Sequence, residues 1–350
     1  MSKVGEPDAP ECAVTQDADC LAGGSGFIAT HVLRVLLSRG YNVVTTVRSA
    51  TKGDKILETY ADYAKNKKLA YVIVGDIAKD GAFDEAVQSD PPFSYVIHTA
   101  SPFPSSFNDP VKDVLEPAIN GTTGILKAIQ AHAPSVKRVV ITSSFAAMTQ
   151  DSTPPKIYDE SSWNPITWDE ALTSKTYRGS KTLAEKAAWD FVDTEKPAFD
   201  LSTICPPLVF GPVEQQLSNI NSLNTSNQQI LNILQGKHVH DTILLPAGSS
   251  IFTDVRDLAL AHVRAIEVPE AGGKRFFVTA GHYSCKRIVD IIRASHPELA
   301  SVLPKNLQED LPADIYGYDN GRVKSTLGIE FRPLKECIDD TVASLLKLGV

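Results

Sequence analysis

A chain of 350 residues, 43% hydrophobic and 22% charged, can bury a large core as one compact unit or two closely joined lobes. A net charge of -8 argues against generic nucleic-acid binding, with the basic run Lys65–Lys68 read as a solvated helix end, and apolar runs such as Val139–Ile141 fall far short of a membrane span of roughly 20 residues. The cysteines Cys12, Cys20, Cys205, Cys285 and Cys337 show no zinc or redox spacing, and the polar N-terminus carries no export pattern, so reduced thiols in the cytoplasm are expected.

The first half alternates short apolar runs with segments of helical spacing, the rhythm of parallel strands and crossover helices. Thr15–Leu21 stands where a first strand belongs, yet Asp17 and Asp19 are poor residues for a buried strand. That strand is expected to form badly, and residues 1–21 are set apart as atypical. Gly23, Gly24, Ser25, Gly26, Phe27, Ile28 and Ala29 follow, opening a helix whose buried side carries Phe27, Ile28, Val32, Val35 and Leu36. Glycine lets a backbone approach a pyrophosphate closely, and the helix start offers it free N–H groups. An ordinary turn would look the same in isolation; the place of this one at the head of an α/β series favours a dinucleotide.

The next strand, Asn42–Val47, ends in Arg48 and Ser49, where an NAD enzyme usually carries a carboxylate. Arg48 and Lys52 suit a 2′-phosphate instead, which points to NADPH or NADP rather than to two solvent-facing cations. Leu69–Val74 is the third strand, with Asp76 and Ile77 placed to flank an adenine, and a short helix is expected at Asp84–Val87. Strand Tyr95–Thr99 runs into Thr99, Ala100 and Ser101 near the bridging phosphates, and His98 within it reads as a hydrogen-bonded core residue rather than a base. A helix over Val111–His132 leads to strand Lys137–Thr142, which ends in Ser143 and Ser144.

Tyr177 and Lys181 are four apart in a helix expected over Tyr177–Asp193, so one face carries both. An ammonium beside a phenol is expected to pull its pKa of about 10 toward neutrality, and a serine at the preceding strand end can polarise a carbonyl oxygen. With 10 tyrosines, chance supplies on the order of 0.6 such pairs. One decoy, Tyr63 and Lys67, is present, but no serine-bearing strand end precedes it. Periodicity does not decide between Ser143 and Ser144. Beyond strand Leu201–Ile204 the pattern loosens: helices near Asp254–Ile266 and Leu334–Leu348 flank a strand at Arg275–Thr279. Asp254 and Asp257 read as helix capping and ion pairing, and His238 and His240, lacking further ligands, as a loop pair, so no metal is expected. The fold class is α/β: a Rossmann-type doubly wound parallel sheet over 22–205, with a smaller mixed C-terminal substrate lobe over 206–350 that partly returns to the main sheet.

Gly23–Ala29, Ala100-Ser101-Pro102-Phe103, Thr142-Ser143-Ser144, Ser162-Trp163-Asn164-Pro165, Tyr177–Lys181, Phe210-Gly211-Pro212 and Asp254–Asp257 together resemble the fungal methylglyoxal and isovaleraldehyde reductases. That group sits with plant dihydroflavonol and cinnamoyl-CoA reductases in the extended short-chain dehydrogenase/reductase superfamily. The resemblance implies Ser144, Tyr177 and Lys181 as the catalytic set, with Tyr177 and Lys181 also touching the cofactor. It further implies cofactor contacts at Pro206, Val209 and Ser226, and a small-molecule carbonyl substrate in an apolar pocket shaped by Phe103, Leu208 and the loop Asn219–Ser226. Cys205-Pro206-Pro207-Leu208 departs from the usual pattern in the substrate region. A monomer or homodimer is expected. Competing readings are a ketoreductase of a polyketide-like intermediate, a nucleotide-sugar epimerase, and a non-catalytic dinucleotide-binding protein with a damaged first strand.

Overall fold

The computed structural model describes residues 18–101, 106–150, 152–215, 217, 219–237 and 249–349. In chain order the strands are β1 (Ala18–Ala22), β2 (Asn42–Val47), β3 (Leu69–Ile73), β4 (Phe93–His98), β5 (Arg138–Thr142), β6 (Ile157–Tyr158), β7 (Asp200–Ile204), β8 (Leu208–Phe210), β9 (Ile251–Asp254), β10 (Lys274–Phe276), β11 (Gly281–His282) and β12 (Gly317–Tyr318). Seven of them form a sheet in the order β10-β7-β5-β4-β1-β2-β3, and every pairing in it is parallel. Strand order reverses between β1 and β4, which opens the crevice where ligands bind in such sheets.

Alternation along the strands divides the core into two layers. Leu21, Val43, Ile97, Val140 and Ile204 face the helices Phe27–Ser38 and Val255–Glu267. Cys20, Val96, Val139, Ile141 and Leu201 face the helix Glu116–His132 and Ala188 of the long helix Thr176–Glu195. A small mixed sheet, β11-β9-β8, lies in the C-terminal half, while β10 from that half closes the main sheet against β7. Among the described residues no helix is long and apolar enough to cross a membrane.

Three expectations are corrected. The first strand does form: β1 pairs with β2 and β4 along its length, and Cys20, Leu21 and Ala22 are at most 1% exposed. Backbone pairing on both sides and three buried apolar neighbours carry Asp19 into the sheet; Asp17 and Cys12 lie outside the described residues. The stretch Asp84–Val87 is a turn rather than a helix, its spacing having come from Phe83, Ala86 and Val87 packing inward from that turn. His98 is buried as expected but is not hydrogen-bonded: among the described residues neither ring nitrogen has a partner, and the ring meets Phe83 edge-on at 5.7 Å. Burial, with the nearby Lys181 charge, lowers its pKa to about 4 and keeps it neutral.

Other readings meet the structure directly. Cys20, Cys205, Cys285 and Cys337 are free and buried. The decoy pair fails on geometry, because Lys67 lies beyond the helix Ala61–Lys65 with φ 58°. Asp254 accepts from the Arg256 N–H at 2.8 Å to cap its helix, and Asp257 pairs with Arg332. His238 and His240 lie outside the described residues; among those described there is no cluster of three or more metal-ligating side chains.

Candidate active site

The glycine turn sits at the C-terminal end of β1, at the reversal of strand order. Gly23 adopts φ +98°, and a Cβ there would lie 3.0 Å from Thr99 Oγ1; at Gly24 it would lie 1.9 Å from Thr45 Oγ1. The turn is thus pressed between the ends of β2 and β4. The Gly23 N–H donates to Thr46 Oγ1 at 3.1 Å, the Gly24 N–H to Thr46 O at 3.0 Å, and Gly26 begins the helix Phe27–Ser38 without a side-chain cap. The uncapped first turn leaves backbone N–H groups for an anion. Gly24→Ala is expected to lower the Tm by several degrees, the cost of overpacking against the stiff Thr45 being about 1–3 kcal/mol. Thr45→Ala in the same chain should recover part of that loss in a thermal melt, and no recovery would mean the strain lies elsewhere.

Two clefts lie at this end of the sheet, and the first includes the turn. The first, of about 410 Å³, is lined by Gly24, Ser25, Gly26, Phe27, Lys52 and Asn224 among others. The second, of about 370 Å³, gathers Arg48, Asp76 and Ile77 with Lys112, Glu116 and Asn120. Arg48 and Lys52 line different clefts at the start of the helix Ala50–Thr59, whose N-cap Ser49 makes no side-chain capping bond. Lys112, Glu116 and Asn120 were missed in the sequence; only their helix, not its facing, was legible there. These cradles fit a dinucleotide: a turn with no room for a Cβ at Gly23 or Gly24, an open helix start, and two cations after β2.

The reactive groups converge at the ends of β4 and β5. Ser144 is extended (φ -163°, ψ 154°), takes the Ala146 N–H at 3.1 Å, and shares a hydrogen bond with the Tyr177 hydroxyl. Ser143 turns the other way and donates to Glu185 at 2.6 Å. That contact separates the two serines, which periodicity did not. Lys181, one turn beyond Tyr177, donates from Nζ to Ser101 Oγ at 2.8 Å, tying the tyrosine helix to the loop after β4. Thr99 anchors that loop, its hydroxyl donating to Ala22 O at 2.7 Å, and Ala100 packs against the core.

The electrostatics differ from the sequence expectation. Burial of the hydroxyl raises the Tyr177 pKa, although the side chain as a whole is 41% exposed, and the Ser144 hydrogen bond is what pulls it down. Lys181 is engaged with Ser101, and burial lowers its own pKa to about 8. The ammonium does not draw the phenol toward neutrality in this arrangement; the phenol stays protonated.

On the far side, the Pro206 carbonyl accepts from the Phe145 N–H at 2.8 Å, beside Ser144, and the Val209 N–H donates to Ser226 Oγ at 3.2 Å. Asn164 braces the turn after Ser144, its Nδ2 donating to Ala146 O at 2.9 Å. The Ser-Trp-Asn-Pro run signalled that segment without revealing this role. Leu208 is half-buried in the C-terminal core, Ser222 and Asn224 line the 410 Å³ cleft, and Phe103 lies outside the described residues.

Sheet order, glycine turn and the Ser-Tyr-Lys grouping define an extended short-chain dehydrogenase/reductase. The chain belongs to the NAD dependent epimerase/dehydratase family, which matches it over residues 20–280. It is 49% identical over 331 residues to ketoreductase azaE of Aspergillus niger, covering 93% of this chain and 97% of that protein. It is 35% identical over 342 residues to the NADPH-dependent methylglyoxal reductase GRE2 of Saccharomyces cerevisiae, covering 93% and 97%. The crystal structure of Gre2 in complex with NADPH from Candida albicans superposes with a TM-score of 0.88 at 36% identity, covering 95% of this chain and 100% of that one. UDP-glucose 4-epimerase of Thermotoga maritima, at 17% identity and a TM-score of 0.71, shares the fold alone.

Proposed function

We propose that this protein reduces an aldehyde or ketone with NADPH, using Ser144, Tyr177 and Lys181. The observation that carries the reading is the Ser144–Tyr177 hydrogen bond at the end of β5, next to the reversal of strand order, with Lys181 one turn along the same helix. Gly23, Gly24, Ser25, Gly26, Phe27 and Ile28 would hold the pyrophosphate; Arg48 and Lys52 the 2′-phosphate; Asp76 and Ile77 the adenine. Thr99, Ala100, Ser101, Pro206, Val209 and Ser226 would line the path to the nicotinamide. When bound, NADPH supplies the hydride.

The residues of the chain handle the oxygen. With a carbonyl bound between them, the Ser144 and Tyr177 hydroxyls would each turn a donor to its oxygen and stabilise the negative charge that grows there. Tyr177 then gives up its proton. The phenol is protonated at neutral pH, as proton donation requires, and burial makes it a weaker acid that the Ser144 hydrogen bond partly restores. Lys181 has two N–H groups beyond the one given to Ser101, enough to hold a ribose hydroxyl. The 49% identity to a ketoreductase favours a ketone as a second, narrower reading of the substrate. The rival of a damaged, non-catalytic protein loses its motive now that β1 is formed.

Loss of NADPH absorbance against a panel of methylglyoxal, isovaleraldehyde and aromatic or polyketide-like ketones tests the reading. Turnover of at least one supports it, and NADPH binding without turnover of any would sink it. As pH rises, Lys181, at about 8, gives up its proton before Tyr177, whose pKa is raised above 10.0. The rate is therefore expected to be flat below pH 8 and to fall above it. Lys181→Arg, charged throughout, should be slower but should lose that basic limb; a limb that persists unchanged assigns it to another group.

A further inference from the structure

The helix that carries Tyr177 and Lys181 places Glu185 one turn further along the same face. Glu185 is 2% exposed. A carboxylate there is costly unless charge and hydrogen bonds surround it. Arg275, from β10, supplies the charge with Nε at 2.7 Å and Nη2 at 3.1 Å. The Ser143 hydroxyl donates at 2.6 Å, the Thr203 hydroxyl at 2.8 Å and Trp189 Nε1 at 3.4 Å. Arg275 is fixed in turn: its Nη1 donates at 2.8 Å to both Glu160 O and Ser162 O, and Trp163 lies 3.7 Å from its guanidinium. One side chain thus ties together the ends of β5 and β7, strand β10, and the segment before Asn164.

Replacing a buried ion pair with apolar side chains often costs a fold nothing, so stability alone is a weak account of this cluster. Position is a better one. Ser143 and Ser144 are consecutive, and in extended backbone consecutive side chains point to opposite sides. A short, charge-assisted bond that pins the Ser143 hydroxyl inward fixes the rotation of the strand end, and hence aims Ser144 outward at Tyr177. We propose that Glu185 is a positioning residue for the reaction: through Ser143 it sets the hydroxyl of Ser144, while Arg275 holds its charge. The proposal rests on the assignment of Ser144, Tyr177 and Lys181 made above.

Glu185→Gln would leave Arg275 without its counter-charge and could fail to fold, so the test removes single neutral partners of the carboxylate. Ser143→Ala and Thr203→Val each delete one hydrogen bond to Glu185, yet only Ser143 adjoins Ser144. With a carbonyl substrate that the wild type reduces, Ser143→Ala is expected to lower kcat about tenfold, with KM and the NADPH Kd within about twofold. Thr203→Val should keep kcat within about twofold at a similar drop in Tm. Adding Ser143→Ala to Ser144→Ala should cost nothing further, because the first acts only through the second. Equal kcat losses in the two single variants, an unchanged kcat in Ser143→Ala, or additive losses in the double variant would each overturn the proposal. Ser144→Ala and Tyr177→Phe at wild-type rates would instead remove the catalytic assignment beneath it, and the proposal with it.

Discussion

Tyr177→Phe should lower kcat for carbonyl reduction by about 10²–10⁴-fold while leaving the NADPH Kd within about twofold. The variant keeps the ring, and with it the packing around a side chain that is already 41% exposed, so folding should be nearly untouched. What goes is the one proton that burial holds on the phenol and that the Ser144 hydroxyl orients. Hydride arrival at carbon then leaves an oxygen anion with Ser144 as its remaining hydroxyl donor. Single-turnover absorbance with saturating NADPH separates this loss of chemistry from any loss of binding. A Tyr177→Phe protein that reduces substrate at the wild-type rate would show that the proton comes from another group, and the proposed mechanism would fail.

Arg48→Asp should reverse the preference between the two nicotinamide dinucleotides. Arg48 is exposed, directly follows β2 and lines the cleft that also holds Asp76 and Ile77. A guanidinium there would meet a 2′-phosphate in a charge-assisted hydrogen bond worth about 1.5–3 kcal/mol. An aspartate repels the phosphate and can instead accept from the ribose hydroxyl of NADH. The ratio of kcat/KM for NADPH to that for NADH is expected to fall at least about 100-fold, equivalent to about 2.7 kcal/mol. Lys52, in the other cleft at the same helix start, should retain part of the phosphate affinity, so Lys52→Ala alone should move the ratio less. A ratio unchanged in Arg48→Asp would remove the argument from the end of β2.

Much of the fold was legible because β2, β3, β4 and β5 are short runs carrying Val or Ile pairs, set apart by polar or helical stretches. β2 was read residue for residue, and β3, β4, β5 and β7 within two residues at either end. The misses have local causes. Spacing cannot tell a turn from a helix when only Phe83, Ala86 and Val87 define it. A residue pattern also cannot show that pairing on both sides will carry Asp19 into a central strand. At the site, the helical face joining Tyr177 to Lys181 was readable from spacing, and the division of labour between Ser143 and Ser144 was not. It depends on Glu185 and Arg275, which are 90 residues apart and meet only once β10 is in place. The Tyr177 pKa was misjudged for a related reason: sequence gives the lysine four residues away, but not Ser101, to which its ammonium turns.

The last strand of the main sheet has a bearing on how the molecule comes into being. β10 lies against β7 only after Lys274–Phe276 has been made, 70 residues past β7. Until then a chain emerging from a ribosome would have the β7 edge of its sheet open and the carboxylate of Glu185 without its cation. Completion of the Glu185 cluster is thereby tied to a distant stretch of chain returning to dock.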